Sequence, residues 1–279
     1  MMCPMRFDDY LRRIGQRPPD GAPLDTLRRL HLAHRETFFF ENVSIQTGGT
    51  IRLGLADLET KFLDQGRGGY CFEHNTLFAA ALADAGFTST TLLGRVRRGP
   101  PERWARTHMV LRLPIGGEIW LADVGFGGVG LLEPMPLRDG ASSEQGGLRY
   151  RLRCDAHVWV LSMQDAANVE TDLYEFTEDP QTPMDVEVAN HFTSTHPESI
   201  FRKTLTIQRA RRDERTLLRS DALARYREGH MVEEPVSRDR LRAVVHREFG
   251  LDLPDGPFVF ETAGLSPRQR PDRMGVTGL

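Results

Sequence analysis

The chain has 279 residues, a formal net charge of −3 and a pI near 6.3, with 39% hydrophobic and 27% charged residues: a globular composition, long enough for one to three domains. The mild acidity argues against a general nucleic-acid binder, no run of about 18 apolar residues marks a membrane span, and MMCPMRFDDYLRRIG lacks the apolar stretch of a secretory signal. Cys3, Cys71 and Cys154 are odd in number and widely spaced, which excludes a disulfide scaffold and a CxxC zinc site and suits a cytoplasmic protein with reduced thiols.

The first 85 or so residues read as helical. Phe7, Tyr10, Leu11 and Ile14 recur at helical spacing, with Gly15 to close the helix. Asp25 is the expected cap of a second helix carrying Leu27, Leu30 and His34. A third runs from about Asp57 to Gln65 with Leu58 and Phe62 inward and Gly66 as its stop, and a fourth starts near Cys71 and ends at Gly86. After Gly86 the pattern changes. FTSTTLLGRVRR, THMVLRLP, EIWLADVGF, LRYRLRCD, HVWVLSM and TDLYEFT are short, β-rich and broken by Gly, Pro and Asp, as expected of a closed or sandwiched antiparallel unit. Beyond His196 the signal is mixed: FRKTLTIQRA and RTLLRS are candidate strands. SRDRLRAVVHREFG is an expected helix burying Leu241, Val244, Val245 and Phe249 and stopped by Gly250, and the tail SPRQRPDRMGVTGL is expected to be mobile.

Chemistry concentrates in RGGYCFEHN, residues 67–75. Cys71 sits where a helix starts, and the positive end of the helix dipole favours thiolate. Gly66, Gly68 and Gly69 permit a tight turn and close approach of a ligand, and free amides at the helix end suit a developing oxyanion. The alternative is a small buried hydrophobe, which is what free cysteine often is; Cys3 and Cys154 are read that way.

A nucleophilic cysteine needs a histidine base, and the base needs an orienting partner. His108 heads THMVLRLP and Asp123 ends EIWLAD, with the turn signal PIGG between them. With Ile115-Gly116 as the turn the two residues lie directly opposite each other; with Gly116-Gly117 they are diagonal neighbours on the same face. Either register unites imidazole and carboxylate, and a buried Asp123 must be paired. The alternative for Asp123 is a bond to backbone in the glycine turn that follows. His74, three residues after Cys71, is the rival base. Cys71, Glu73 and His74 diverge too far along a helix to make a metal site, so no metal is expected, and His31, His34, His191, His196, His230 and His246 show no convergent partner.

With these residues in view the chain resembles the arylamine N-acetyltransferases. RGGYCFEHN is similar to their nucleophile motif, THMVL to their histidine strand, LADVGFGG to their aspartate strand, FFFENVSI to their P-F-E-N segment and NHFTSTHPESIF to a downstream segment, in the family's order. One departure is Phe39, where the family commonly has proline. The resemblance implies an α+β fold with a cysteine-protease-like core: an N-terminal helical bundle (1–85) carrying the nucleophile, a central antiparallel β-barrel (86–195) carrying the histidine and aspartate, and a C-terminal α/β lid (196–279). It implies a Cys71–His108–Asp123 triad, acetyl-CoA as co-substrate, and aromatic amines or hydrazines as acceptors in a ping-pong reaction, by a monomer or homodimer. It places Phe40, Val96, Phe126 and Phe201 at the acceptor pocket, Thr107 and Gly125 against coenzyme A, and Arg67 with Glu41 as a structural ion pair. Phenylalanine walls suit flat acceptors, and a cysteine nucleophile suits a thioester donor because thiolate displaces thiolate; core packing is the competing role for the phenylalanines. Arg95, Arg97 and Arg98 of GRVRRG are candidates for the coenzyme's phosphates, or else a solvated edge. The competing functions are an amide synthase of the same fold, a transglutaminase-like cysteine hydrolase, and a binding protein with a dead site.

Overall fold

Apolar residues at helical spacing bury one face of each N-terminal helix, in a computed structural model that describes residues 5–228 and 230–262. Cys3 and the tail SPRQRPDRMGVTGL, expected to be mobile, lie outside the described residues. Helix α1 spans Phe7–Arg13 and is followed by Gly15 at φ +65°. Helix α2 spans Pro23–Thr37, and its start corrects the expected Asp25 cap: Ala22 is the N-cap and Pro23 opens the first turn, where Asp25 meets the positive helix end. A two-residue strand β1, Phe40–Glu41, and a one-turn helix α3, Val43–Gln46, follow. The expected third helix starts earlier, as α4 Leu55–Glu59, and widens into a π-helical turn over Thr60–Asp64. Helix α5, Cys71–Asp84, begins at the expected thiol.

All six expected β runs are strands. They are β2 Thr90–Val96, β3 Arg106–Ile115, β4 Glu118–Ala122, then, after two short strands β5 Met135–Pro136 and β6 Ser142–Gln145, β7 Leu148–Asp155, β8 Val158–Gln164 and β9 Glu170–Phe176. They pair antiparallel in the order β5-β4-β3-β2-β9-β8-β7-β6, a nearly closed barrel and not a sandwich. Helix α6, Pro183–Thr195, is not among the expected elements, although Thr182 and Asp185 form a capping box around Pro183. The first part of FRKTLTIQRA is a helical turn, α7 Ile200–Lys203, so strand β10 starts only at Thr206 and runs to Ala210. Strands β11 Glu214–Arg219, β12 Ala222–Arg227 and β13 His230–Pro235 continue a second sheet, whose other edge is β1 through Phe40↔Gln208. Helix α8, Arg238–Phe249, buries the four expected residues and ends at Gly250, φ +65°; α9, Val259–Thr262, follows.

The alternation of strand side chains decides where the candidate site lies. Met109, Leu111 and Leu113 of β3, with Trp120 and Ala122 of β4, pack under the helices beside Leu27, Leu30 and Phe78. Val110 and Leu121 point the other way, into the barrel with Leu92, Leu161 and Tyr174. His108 and Asp123 are each two residues from these inward positions and share their face. The hairpin turn is Gly116-Gly117, at φ +60° and +83°, with Ile115 opposite Glu118. The diagonal register is therefore the one adopted.

His34, without a partner in the sequence analysis, and His74, the rival base, form a buried chain under the helices. Tyr10 Oη lies 3.0 Å from His34 Nδ1, His34 Nε2 2.9 Å from His74 Nδ1, and His74 Nε2 2.9 Å from the Phe39 carbonyl. The carbonyl can only accept, so each ring carries its proton on Nε2, each Nδ1 accepts, and the tyrosine donates. Every position is filled with both rings neutral. Burial holds both histidines below the usual range, His74 at about 3. The unfolded chain therefore takes up protons first as pH falls, and the stability these groups contribute is complete above about pH 6.5 and lost on the way down to the folded values. The urea-unfolding midpoint is expected to be flat from pH 8 to 7 and then to fall, with a loss of about 2 kcal/mol per buried histidine by pH 5; a midpoint unchanged between pH 7 and 5 would contradict the neutral chain.

Candidate active site

Cys71 is the first residue of α5. Glu73, two residues on, accepts the Tyr70 amide at 3.0 Å and is paired with Lys61 at 2.6 Å, which pins the helix start. Gly68 serves packing of the chain on itself, not the expected approach of a ligand: a Cβ there would lie 1.8 Å from the Phe39 carbonyl oxygen. The Cys71 Sγ points to the Thr107 carbonyl at 3.5 Å. Burial pushes the thiol well above its ordinary range, and hydrogen bonding from the Met109 and Phe72 amides offsets only part of this. Burial thus works against the thiolate that the helix end favours, and a base beside the sulfur would take up the proton.

His108, the expected base, is placed by β3. His108 Nε2 donates to Asp123 Oδ2 at 2.8 Å, with both side chains buried. This occupies Nε2 and leaves Nδ1 as the ring nitrogen able to take a proton. Burial alone would raise the Asp123 carboxyl. The charge and hydrogen bond of His108, then the Gly125 amide at 2.8 Å and Asn75 Nδ2 at 3.1 Å, outweigh it and hold the group well below the usual carboxylate range. Gly125 lies against the nucleophile's backbone: a Cβ there would come within 2.8 Å of Cys71 Cα.

Cys71 and His108 face one cavity of about 320 Å³, and Phe40, Val96, Thr107, Gly125, Phe126 and Phe201 all line it. Arg98, Arg103, Trp104 and Arg219 also line it. Arg97 instead pairs with Asp172 at 3.4 Å and lies over the Trp104 ring, while Arg95 donates to the Trp104 carbonyl. Arg67 Nη2 meets Glu41 Oε1 at 2.8 Å, and the second Glu41 oxygen accepts the Val43 amide at 2.6 Å. Phe39, the departure from the family pattern, stacks edge-on to Phe249 at 6.0 Å and is not part of the cavity wall. The rival base His74 is spent on His34 and Phe39, and no group of three His, Cys, Asp or Glu suited to a metal occurs among the described residues.

Four side chains at this site were not singled out as such in the sequence. Asn75, one helical turn after Cys71, donates to Asp123 Oδ1 and to the Met109 carbonyl at 2.7 Å and accepts the Val124 amide at 3.1 Å. Its place inside RGGYCFEHN and its four-residue step from Cys71 are the signal for it. Tyr174 packs on the His108 ring at 4.7 Å, and its buried hydroxyl has no hydrogen-bond partner among the described residues. His31 and Arg35 reach the same loop from α2.

The N-acetyltransferase family profile matches residues 23–258, most of the chain. The chain belongs to the arylamine N-acetyltransferase family. It is 34% identical over 261 residues, 92% of each chain, to an arylamine N-acetyltransferase / N-hydroxyarylamine O-acetyltransferase of Salmonella typhimurium. It is 36% identical to an arylamine N-acetyltransferase of Mycolicibacterium smegmatis over 90% of this chain and 94% of the other. Among solved structures, arylamine N-acetyltransferase from Mycobacterium marinum in complex with CoA superposes with a TM-score of 0.83 at 32% identity, covering 92% of this chain and 97% of that one. In this chain, Asn75→Ala strips one partner each from the Val124 amide, the Met109 carbonyl and Asp123, all buried. A loss of about 2–4 kcal/mol is expected from urea unfolding; a variant within about 0.5 kcal/mol of the parent would show that Asn75 does not brace the loop.

Proposed function

We propose that this chain moves an acetyl group from acetyl-CoA to an aromatic amine or hydrazine through an acetyl-Cys71 intermediate. The observation that carries this is the convergence on one apolar-walled cavity of a helix-start thiol and an imidazole whose far nitrogen is held by a buried carboxylate. Cys71 Sγ gives its proton to His108 Nδ1 and attacks the thioester carbonyl. Amides at the start of α5 steady the oxyanion. The adduct expels the CoA thiolate, which takes the proton from the imidazolium. The amine nitrogen then attacks acetyl-Cys71, its proton passes to His108, and the departing Cys71 sulfur recovers it. Throughout, Asp123 keeps the ring in the Nε2–H tautomer and stabilises the imidazolium.

Phe40, Phe126 and Phe201 supply flat apolar walls for the acceptor, and Val96 closes beside them. Thr107 and Gly125 line the same cavity as Cys71, which supports them as contacts for coenzyme A. Arg67 and Glu41 stay outside the chemistry and hold the nucleophile loop to β1. The cavity is complete within one chain, so a monomer or a homodimer suffices. No described helix is long and apolar enough to cross a membrane, and the reactive thiol suits the cytoplasm, where thiols stay reduced.

Intact-protein mass after mixing with acetyl-CoA and no amine should rise by one acetyl group, and an added arylamine or hydrazine should discharge it. Cys71→Ala should stay folded and show less than about 1% of the parent transfer; more would rule out Cys71 as the nucleophile. Asp123→Asn is expected to lower turnover by a factor on the order of 10⁴, checked on protein that circular dichroism shows to be folded. A folded and fully active Asp123→Asn would remove the orienting role.

A further inference from the structure

The loop that follows Asp123, residues 124–130, lies outside helix and strand, yet it sets Gly125 against Cys71 and Phe126 against the His108 ring at 5.1 Å. Two arginines hold it by its carbonyls. Arg35, on α2 and 2% exposed, donates from Nη1 to Val124 O at 3.2 Å and from Nη2 to Gly127 O. Arg215, on β11 and 1% exposed, donates from Nη1 to Gly128 O at 2.7 Å and Gly130 O at 2.8 Å, and from Nη2 to Gln145 O at 3.0 Å. Among the described residues neither has a carboxylate within ion-pair distance, and the Nε of each has no acceptor. One turn before Arg35, His31 donates from Nδ1 to Leu132 O at 2.8 Å and accepts the Asp123 amide at Nε2, 3.2 Å away.

Burying a cation is costly, and a neutral donor could serve a carbonyl. Two such cations facing each other cost more: burial first, and then the charge of Arg215, lower the Arg35 pKa to about 10, while the charge of Asp123 raises it. The charged and titratable groups around Asp123 are His108 on β3, His31 and Arg35 on α2, Cys71 on α5 and Tyr174 on β9. Of these, Arg35 is the fixed cation.

We infer, taking the acyl-cysteine chemistry proposed above as given, that Arg35 is a positioning residue: it ties the Asp123 loop down by two carbonyls and sets its charge behind the Asp123 carboxylate, keeping that group in line with His108. Arg215 is the second tie on the same loop. Neither touches the reacting atoms.

The test uses the full chain with Arg35→Lys, which keeps the charge but cannot span both carbonyls, and Arg35→Met, which loses both. The readouts are the rate of acetylation of Cys71 by acetyl-CoA in a single turnover and the pH midpoint of Cys71 alkylation by iodoacetamide, each expressed per folded molecule. Arg35→Lys should slow acetylation about tenfold and keep the alkylation midpoint, and Arg35→Met should slow it by a factor on the order of 10² and shift the midpoint upward. A folded Arg35→Met with the parent's rate and midpoint overturns the inference, because a purely structural role lowers thermal stability and leaves both readouts untouched. Should Arg35→Met not fold, Arg35→Lys decides alone, and an unchanged acetylation rate in it overturns the inference. Should the parent itself take no acetyl group, the proposed function fails, and the alkylation midpoints of the variants still decide the role of Arg35.

Discussion

A carboxylate with no access to water has to be paired, and in this protein that one requirement organises the site. Asp123 accepts from His108, Asn75 and the Gly125 amide, so three separate pieces of chain must arrive together before the group can be buried ionised. His108 comes from the neighbouring strand, Asn75 from the helix that starts with the thiol, and Gly125 from the loop just beyond. Satisfying Asp123 therefore also fixes the imidazole, the nucleophile's helix and the wall beside it. The barrel face chosen by strand alternation and the helices packed on its outer side meet at this carboxylate.

The thiol is the other half of the balance. Its burial favours the neutral form, so the proposed chemistry turns on a proton that moves, with His108 Nδ1 as its destination and Asp123 as the counter-charge. An apolar cavity suits that arrangement, because exclusion of water strengthens the attraction between the thiolate and imidazolium formed by the transfer.

Much of this is legible in the sequence because the signals are local. The start of α5 at Cys71, the six barrel strands, α8 with its glycine stop and the His108–Asp123 hairpin each depend on spacing within a few residues. The exact hairpin register needed the structure, since Ile115-Gly116 and Gly116-Gly117 are both acceptable turns and only the second gives two positive φ angles to two glycines. What stayed hidden depends on distance in sequence. His31 and Arg35 look like ordinary residues of an amphipathic helix until a loop some ninety positions later lies across them. Tyr174 reads as one more inward strand residue. Helix α6 shows the other kind of miss: Thr182, Pro183 and Asp185 spell a helix start, but they follow directly on a run of strands and the change of period is abrupt.

Strand β1 is only Phe40 and Glu41, yet it joins the nucleophile loop to the last-made sheet: Phe40 pairs with Gln208 while the Glu41 amide bonds the Gly69 carbonyl at 2.7 Å. During synthesis the helices, Cys71, His108 and Asp123 all leave the ribosome well before the strand that completes this pairing. The emerging chain thus owns its reactive groups before it owns the wall around them, and Phe40 waits as an unpaired edge until β10 arrives. Until β10 and β11 arrive, the cavity beside Cys71 lacks Thr206, Gln208, Leu217 and Arg219 from its lining, so closure of the second sheet is the event that completes the wall.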